Sequence, residues 1–261
     1  VQPAIRPLGD QIKEWRRRRR LSQMDLALDA EISTRHLSFI ETGRAKPSRE
    51  MVLRLADQLD VPLRERNALL LGAGFAPVYA ERALDDPALA AARRAIDLVL
   101  KGHEPWPALA IDRHWHMVAA NAAVAPLLAG CAPHLLEGPA NVLRLSLHPE
   151  GLAPRILNLA EWRAHLLERL RRQAVTTGDA MLDALVAELE AYPFPDGAGQ
   201  LEDLGGVAIP LRLASPLGEL SFISTTTVFG TPLDVTLDEL AIEAFYPADV
   251  VTAERLRGDD L

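Results

Sequence analysis

Apolar residues recur every three or four positions through the first 75 residues, the spacing of amphipathic helices. Leu8, Ile12 and Trp15 share one face of a first predicted helix. Ser22 is placed to cap a second, with Asp25 three residues on, close to a capping box. Met24, Ala27 and Leu28 give that helix its apolar side. Ser33 caps a third, with Leu37 and Ile40 inward and Gly43 at the left-handed position that ends it. Pro47-Ser48 opens a fourth, with Val52, Leu55, Ala56 and Leu59 inward. Pro62 starts a fifth, which stops at Gly72-Ala73-Gly74. Five short helices over 1–75 make an all-α domain of ordinary size.

The pattern then changes. Residues 76–104 read as a connector, with Pro77 and Pro87, running into a helix from about Pro87 to Leu100. Ala108-Leu109-Ala110-Ile111 and Met117-Val118-Ala119-Ala120 are short apolar runs, separated by the turn-like Asp112-Arg113-His114-Trp115-His116. They predict a hairpin, weakened by its alanines. Asn121 leads into a short helix over 122–128 and is placed to cap it. Residues 159–173 and 179–192 predict two longer helices, and 193–206 a loop. Residues 207–214 and 217–227 predict two antiparallel strands around Ser215-Pro216. A last strand falls at 228–236 or 240–246; the pattern leaves this open. Strands at both ends of 105–257, with helices between, define an α+β domain with one antiparallel sheet.

Composition sharpens this division. The chain has 261 residues, 49% hydrophobic and 25% charged, a globular profile. No apolar run reaches the ~18 residues of a membrane span, and the N-terminal residues show no signal-peptide pattern. The sole cysteine, Cys131, excludes an internal disulfide and a multi-thiolate metal site. A cytoplasmic setting with no membrane association is therefore expected. The net charge of −8 conceals an asymmetry: residues 1–75 carry +4 and residues 76–261 carry −12. A basic head on an acidic body points to nucleic acid at the head, with the body held away from phosphate.

The head carries the most specific motif. Leu21-Ser22-Gln23-Met24-Asp25-Leu26-Ala27, Ile32-Ser33, Leu37 to Arg44 and Pro47-Ser48 follow in order. The segment, about residues 8–73, resembles the Xre/Cro-type helix-turn-helix of bacterial and phage regulators. It departs from that family at Glu31, where glycine is usual in a left-handed turn, so mild strain is expected there. A helix beginning at Ser33 can enter the major groove of double-stranded DNA and present Thr34, Arg35, Ser38 and Phe39. Arg35 suits a guanine edge; Phe39 suits a thymine methyl or packing between helices, with equal weight. Gln23, Arg44 and Lys46 suit phosphate contacts. His36 is a packing or phosphate-facing residue. Arg18 and Arg19, within the run Arg16 to Arg20, are read as phosphate contacts in preference to a solvated helix end.

Residues Trp106 to Asn121 resemble the opening of a PAS-type sensor domain: strand, turn, strand, then Asn at a helix start. Asn141-Val142-Leu143-Arg144, Leu147 to Leu152, Arg155, Ile156, Trp162 and the stretch Val228 to Thr236 follow. Behind an Xre-type head, this series resembles the MmyB-like transcription regulators, whose C-terminal ligand-binding domain is PAS-like. The resemblance implies a small, mostly apolar, fatty-acid-like effector; apart from that effector no cofactor is expected. Ligand pockets are apolar with a few placed polar groups. Candidates for those groups are Arg144, His148, Arg155 and His165, with Trp106, Trp115 and Trp162 as walls. Their competing roles are surface ion pairs for the arginines and core packing for the tryptophans.

Other chemistry is set aside. His114 and His116 could share a strand face and bind metal, but no thiolate or carboxylate–histidine helix pattern accompanies them, so no metal is expected. There is no G-x-S-x-G elbow, P-loop or G-x-G-x-x-G, so no enzyme is expected. The expectation is a DNA-binding transcription regulator, homodimeric on a palindromic operator, with DNA binding modulated by a small-molecule ligand. The competing expectation is a constitutive DNA-binding dimer or adaptor whose acidic body is structural or recruits a partner.

Overall fold

In the N-terminal helices, each start is fixed by a local cap or proline and each stop by the same turn. The structure, a computed structural model, describes residues 6–193, 209–230, 232 and 234–258. The helices are α1 (Leu8–Arg18), α2 (Gln23–Asp29), α3 (Thr34–Glu41), α4 (Arg49–Gln58) and α5 (Leu63–Gly72). Ser22, Ser33 and Ser48 each accept a hydrogen bond from the backbone N–H three residues on, and Ser22 and Asp25 complete a capping box. Each helix ends in a Schellman turn, with the residue after the C-cap left-handed: Arg20, Glu31, Gly43, Asp60 and Gly74. In α2, Ile32 N–H donates to Ala27 O and Glu31 N–H to Leu28 O.

Glu31 holds φ +54°, so the strain expected at this position is present. Glu31→Gly should stabilise the protein by ~0.5–1 kcal/mol, because glycine adopts this conformation without a Cβ clash. Urea unfolding checks this; an unchanged midpoint would mean that the turn carries no strain.

The helical core comprises Ile12, Trp15, Leu26, Leu37, Ile40, Leu55, Leu69 and their neighbours. Gly9 lets α1 approach α3 closely: a Cβ there would lie 2.5 Å from Glu41 O. Helix α2 buries Leu26 and Ala27, whereas Met24 and Leu28, expected inward, are exposed: its inward face is turned by about 100°, one residue's rotation, from the expected one, with Ala27 common to both.

The chain divides into two units, residues 1–83 with 231–238, and residues 84–230 with 239–261. Residues 76–83, read from sequence as connector, thus belong with the helices; the Asn67 side chain bonds the backbone of Val78 and Tyr79.

The second unit follows in the order α6 (Ala90–Gly102), β1 (Ala108–Ile111), β2 (Met117–Ala120), α7 (Val124–Leu128), α8 (Pro133–Leu136), α9 (Val142–Leu147), α10 (Leu159–Thr177), α11 (Ala180–Ala191), β3 (Leu211–Ser215) and β4 (Gly218–Val228). Helix α12 (Val235–Asp238) belongs to the first unit, and β5 (Ala241–Pro247) and α13 (Val250–Arg257) complete the second. The five strands form one antiparallel sheet in the order β2-β1-β5-β4-β3. This is the α+β, PAS-like architecture expected. The undecided last strand is 241–247. The loop expected over 193–206 lies, beyond Pro193, outside the described residues.

Strand alternation sorts the sheet's two faces. Ala108, Ala110, Ile242 and Ala244 pack with Ile96 and Leu100 of α6. Leu109, Ile111, Leu213, Leu220 and Phe222 contribute to the larger core with Trp162, Leu166 and Leu170 of α10 and Leu185 and Leu189 of α11. The small alanines of β1 that weakened the strand prediction are buried between the sheet and α6. Asn121 is not the helix cap expected. Its Oδ1 accepts from Ala108 N–H, and its Nδ2 donates to Leu100 O and Trp106 O. Three buried backbone groups claim the side chain, and α7 begins later, at Val124, without a side-chain cap.

Candidate DNA-binding face and ligand cavity

Helix α3 offers its N-terminal half to solvent. Ser33, Thr34 and Arg35 are exposed; His36, Ser38 and Phe39 are half-buried; Leu37 and Ile40 anchor the inner side. Ser33 Oγ accepts from His36 N–H at 3.1 Å. The Arg35 guanidinium lies 5.3 Å from the centre of the Phe39 ring, so the two form one surface. Arg44 and Lys46 are exposed beyond the helix end.

The arginine run is divided by helical periodicity. Arg16 turns inward and pairs with Glu41, Nε to Oε1 at 2.7 Å and Nη2 to Oε2 at 3.0 Å. Its Nη1 also donates to Leu21 O. Gln23, read as a phosphate contact, donates to the same carboxylate at 2.7 Å. Burial pushes the Glu41 carboxyl up, but hydrogen bonds from Arg16 and Gln23 and the Arg16 charge outweigh it, holding the pKa below its ordinary value. Arg18 pairs with Glu14 and lies over Trp15. Arg19 donates to Leu59 O and Asp60 O, both at 2.8 Å. Arg17 and Arg20 are exposed.

In the second unit the sheet, α7, α9 and α10 line a partly open apolar cavity of about 90 Å³, on a scale where one water needs ~10–15 Å³. Its walls include Leu109, Trp115, Leu145, Trp162, Leu213 and Phe245. Both indole N–H groups are satisfied, Trp162 by Ser146 Oγ at 2.9 Å and Trp115 by Gln173 Oε1 at 2.8 Å. The charged lining comes from Arg169 on α10 and Glu243 on β5. They bond bidentately at 3.1 and 2.5 Å, and Thr226 bridges them, accepting from Arg169 at 2.7 Å and donating to Glu243 at 3.0 Å. The Arg169 guanidinium also stacks 4.6 Å from the Trp115 ring centre.

Of the ligand candidates read from sequence, Trp115 and Trp162 line the cavity. The other five lie outside its lining. Arg144 binds Glu188 bidentately at 2.8 and 2.7 Å, which raises the arginine pKa and lowers that of Glu188. His148 accepts from Glu150 N–H and packs edge-on to Tyr192. Arg155 donates to Leu127 O. His165 lies behind Trp162, its pKa lowered by burial and by the charges of Arg169 and Arg172. Trp106 stacks under Arg257.

Arg169 and Glu243 were missed from sequence, yet each leaves a trace. In α10, positions 162, 166, 169 and 173 share a face, so Arg169 falls on the apolar side. In β5, Glu243 falls between inward-facing Ala241 and Phe245.

A capped helix with an exposed polar face, and a separate unit enclosing an apolar cavity, together define a transcription regulator with a DNA-binding head and a ligand-binding domain. The chain belongs to the MmyB-like transcription regulators: the family described as MmyB-like transcription regulator ligand binding domain matches residues 92–258. A second family, described as helix-turn-helix domain, matches residues 7–69. No curated protein matches the chain. Among the described residues, no helix is long and apolar enough to cross a membrane.

Proposed function

We propose that this regulator binds a fatty-acid-like molecule in the cavity and that occupancy changes the head's affinity for its operator. The observation that carries this reading is the cavity itself: mostly apolar walls with one charged pair, Arg169–Glu243, on its lining. An acyl chain fills such a space, and its polar head meets the ion pair. The protein works in the cytoplasm as a homodimer, with two α3 helices ~34 Å apart on successive major grooves. Chain connectivity supports a coupling. Strands β4 and β5 contribute Ser224, Glu243 and Phe245 to the cavity, and the segment joining them belongs to the helical unit. There Asp234 accepts from Arg82 at 2.8 Å, Val235 N–H donates to Ala80 O at 2.8 Å, and Asp238 accepts from Leu63 N–H at 3.2 Å.

Native mass spectrometry of the purified protein, followed by denaturation, tests the ligand. A dimeric mass with a stoichiometric acyl molecule is expected. A protein that carries none and takes up none when long-chain acids are added would overturn the reading.

Two further outcomes concern the head. Arg35→Ala should weaken operator binding by ~1–3 kcal/mol and relax preference at one base pair. Wild-type affinity in that variant would misplace the reading helix. Replacing Arg17 and Arg20 with alanine should weaken all duplexes alike and reduce the salt slope by ~2, about one for each phosphate left without its arginine. An unchanged slope would make both arginines solvated surface.

A further inference from the structure

We infer that the β1–β2 turn holds a site for a late first-row divalent cation of the Zn²⁺ type, built from Asp112, His114 and His116. One ligand-type atom from each of the three residues lies within 4.8 Å of the others. Two imidazoles and a carboxylate form a donor set suited to Zn²⁺ and its neighbours, three protein ligands leaving a position for water. Metal bonds of ~2.0–2.1 Å place tetrahedral ligands ~3.3 Å apart, so small side-chain rotations complete the site.

The turn is organised for this before any metal arrives. Asp112 Oδ1 accepts from the backbone N–H of His114 and of His116, both at 2.8 Å. That fixes the carboxylate across the turn and leaves Oδ2 facing His116 Nδ1 at 3.1 Å. His114 is oriented from behind. Its Nε2 lies 2.8 Å from Asp179 Oδ2, and Asp179 Oδ1 accepts from Met181 N–H at the start of α11. A carboxylate on one ring nitrogen holds the imidazole in the tautomer whose other nitrogen carries a lone pair, the arrangement that supports metal-bound histidines. The sequence alone supplied the two histidines; the fold supplies both carboxylates, one of them 65 residues away.

Local charge favours a cation. Arg113 lies 3.5 Å from Asp179 and 3.4 Å from Glu239, so its charge is offset by those two carboxylates, and Asp112, beside His116, adds a third. The site is reachable, with His116 and Asp112 partly exposed and His114 at 15%. Trp115 stands between the two histidines at φ +68° and lines the cavity, so a metal here braces the turn that sets one cavity wall.

Isothermal titration of the full-length protein with Zn²⁺, and the visible spectrum with Co²⁺, test the site. One Zn²⁺ per chain is expected, with a Co²⁺ spectrum of nitrogen–oxygen coordination. His114→Ala and His116→Ala should each weaken binding at least tenfold while circular dichroism stays that of the wild type. Asp179→Asn should weaken it ~10–100-fold, the usual loss when such an outer partner is changed. His134→Ala, in the separate His134, His148 and Glu150 cluster, should leave it unchanged. Absence of Zn²⁺ binding at millimolar concentration, binding that survives the His114/His116 double variant, or loss confined to His134→Ala would each overturn the assignment.

Discussion

Arg16→Ala should destabilise the helical head by ~3–5 kcal/mol, the cost of leaving a buried charge without its partner. The Glu41 side chain is 2% exposed and Arg16 11%, so solvent cannot replace the lost guanidinium. Among the described residues, Gln23 alone would remain hydrogen-bonded to the carboxylate. The pH dependence gives a second signature. In the native protein Glu41 has a pKa below its ordinary 4.5. The group therefore contributes stability that is fully present above 4.5 and is lost as pH falls through the folded-state value. Without Arg16, its hydrogen bonds and charge no longer hold the Glu41 pKa down, so the variant should lose less stability than the wild type as pH falls below 4.5. Urea unfolding at pH 7 and pH 4 checks both effects. A variant with wild-type stability at pH 7 would show that Arg16 belongs functionally to the solvated arginines.

Arg169→Ala should cost a similar ~3–5 kcal/mol in the C-terminal domain, because Glu243 is 5% exposed and, among the described residues, would keep the side-chain bond from Thr226 alone. The paired replacement Arg169→Met with Glu243→Leu removes both charges and should return most of that stability, since apolar residues of similar volume can replace a buried pair without loss. The same double variant deletes the charged lining of the cavity. It should fold and bind an acyl ligand with altered head-group preference. Urea unfolding of the full chain, with ligand uptake measured beside it, separates the two effects. Equal destabilisation by the single and double replacements would mean that packing of the arginine stem, and not its charge, holds this region.

What the sequence made legible was local. Ser22, Ser33 and Ser48 announce helix starts because an N-cap bond spans only three residues. The runs at 108–111 and 117–120 are strands because a turn of Asp112 to His116 closes them. The position of β5 was not settled by local pattern: residues 240–246 are the more apolar, six of seven against four of nine in 228–236, but Val228, Leu233 and Val235 also suit a strand, and pairing with β1 and β4 decides between them. The arginine run was read as a unit, but successive residues on a helix turn by about 100°, and only Arg17 and Arg20 remain exposed. The cavity's charged pair joins α10 to β5 across 74 residues, beyond any motif. Asn121 misled because a helix follows it, while its partners lie in α6, the turn after it and the start of β1.

Whether ligand occupancy is read out at DNA is tested by one titration. An operator duplex selected by the protein itself is labelled, and its affinity is measured with the cavity empty and with it filled by the acyl ligand identified by native mass spectrometry. A change of at least about fivefold is expected, the lower end of ordinary allosteric coupling. Identical affinities with the cavity demonstrably filled would contradict it.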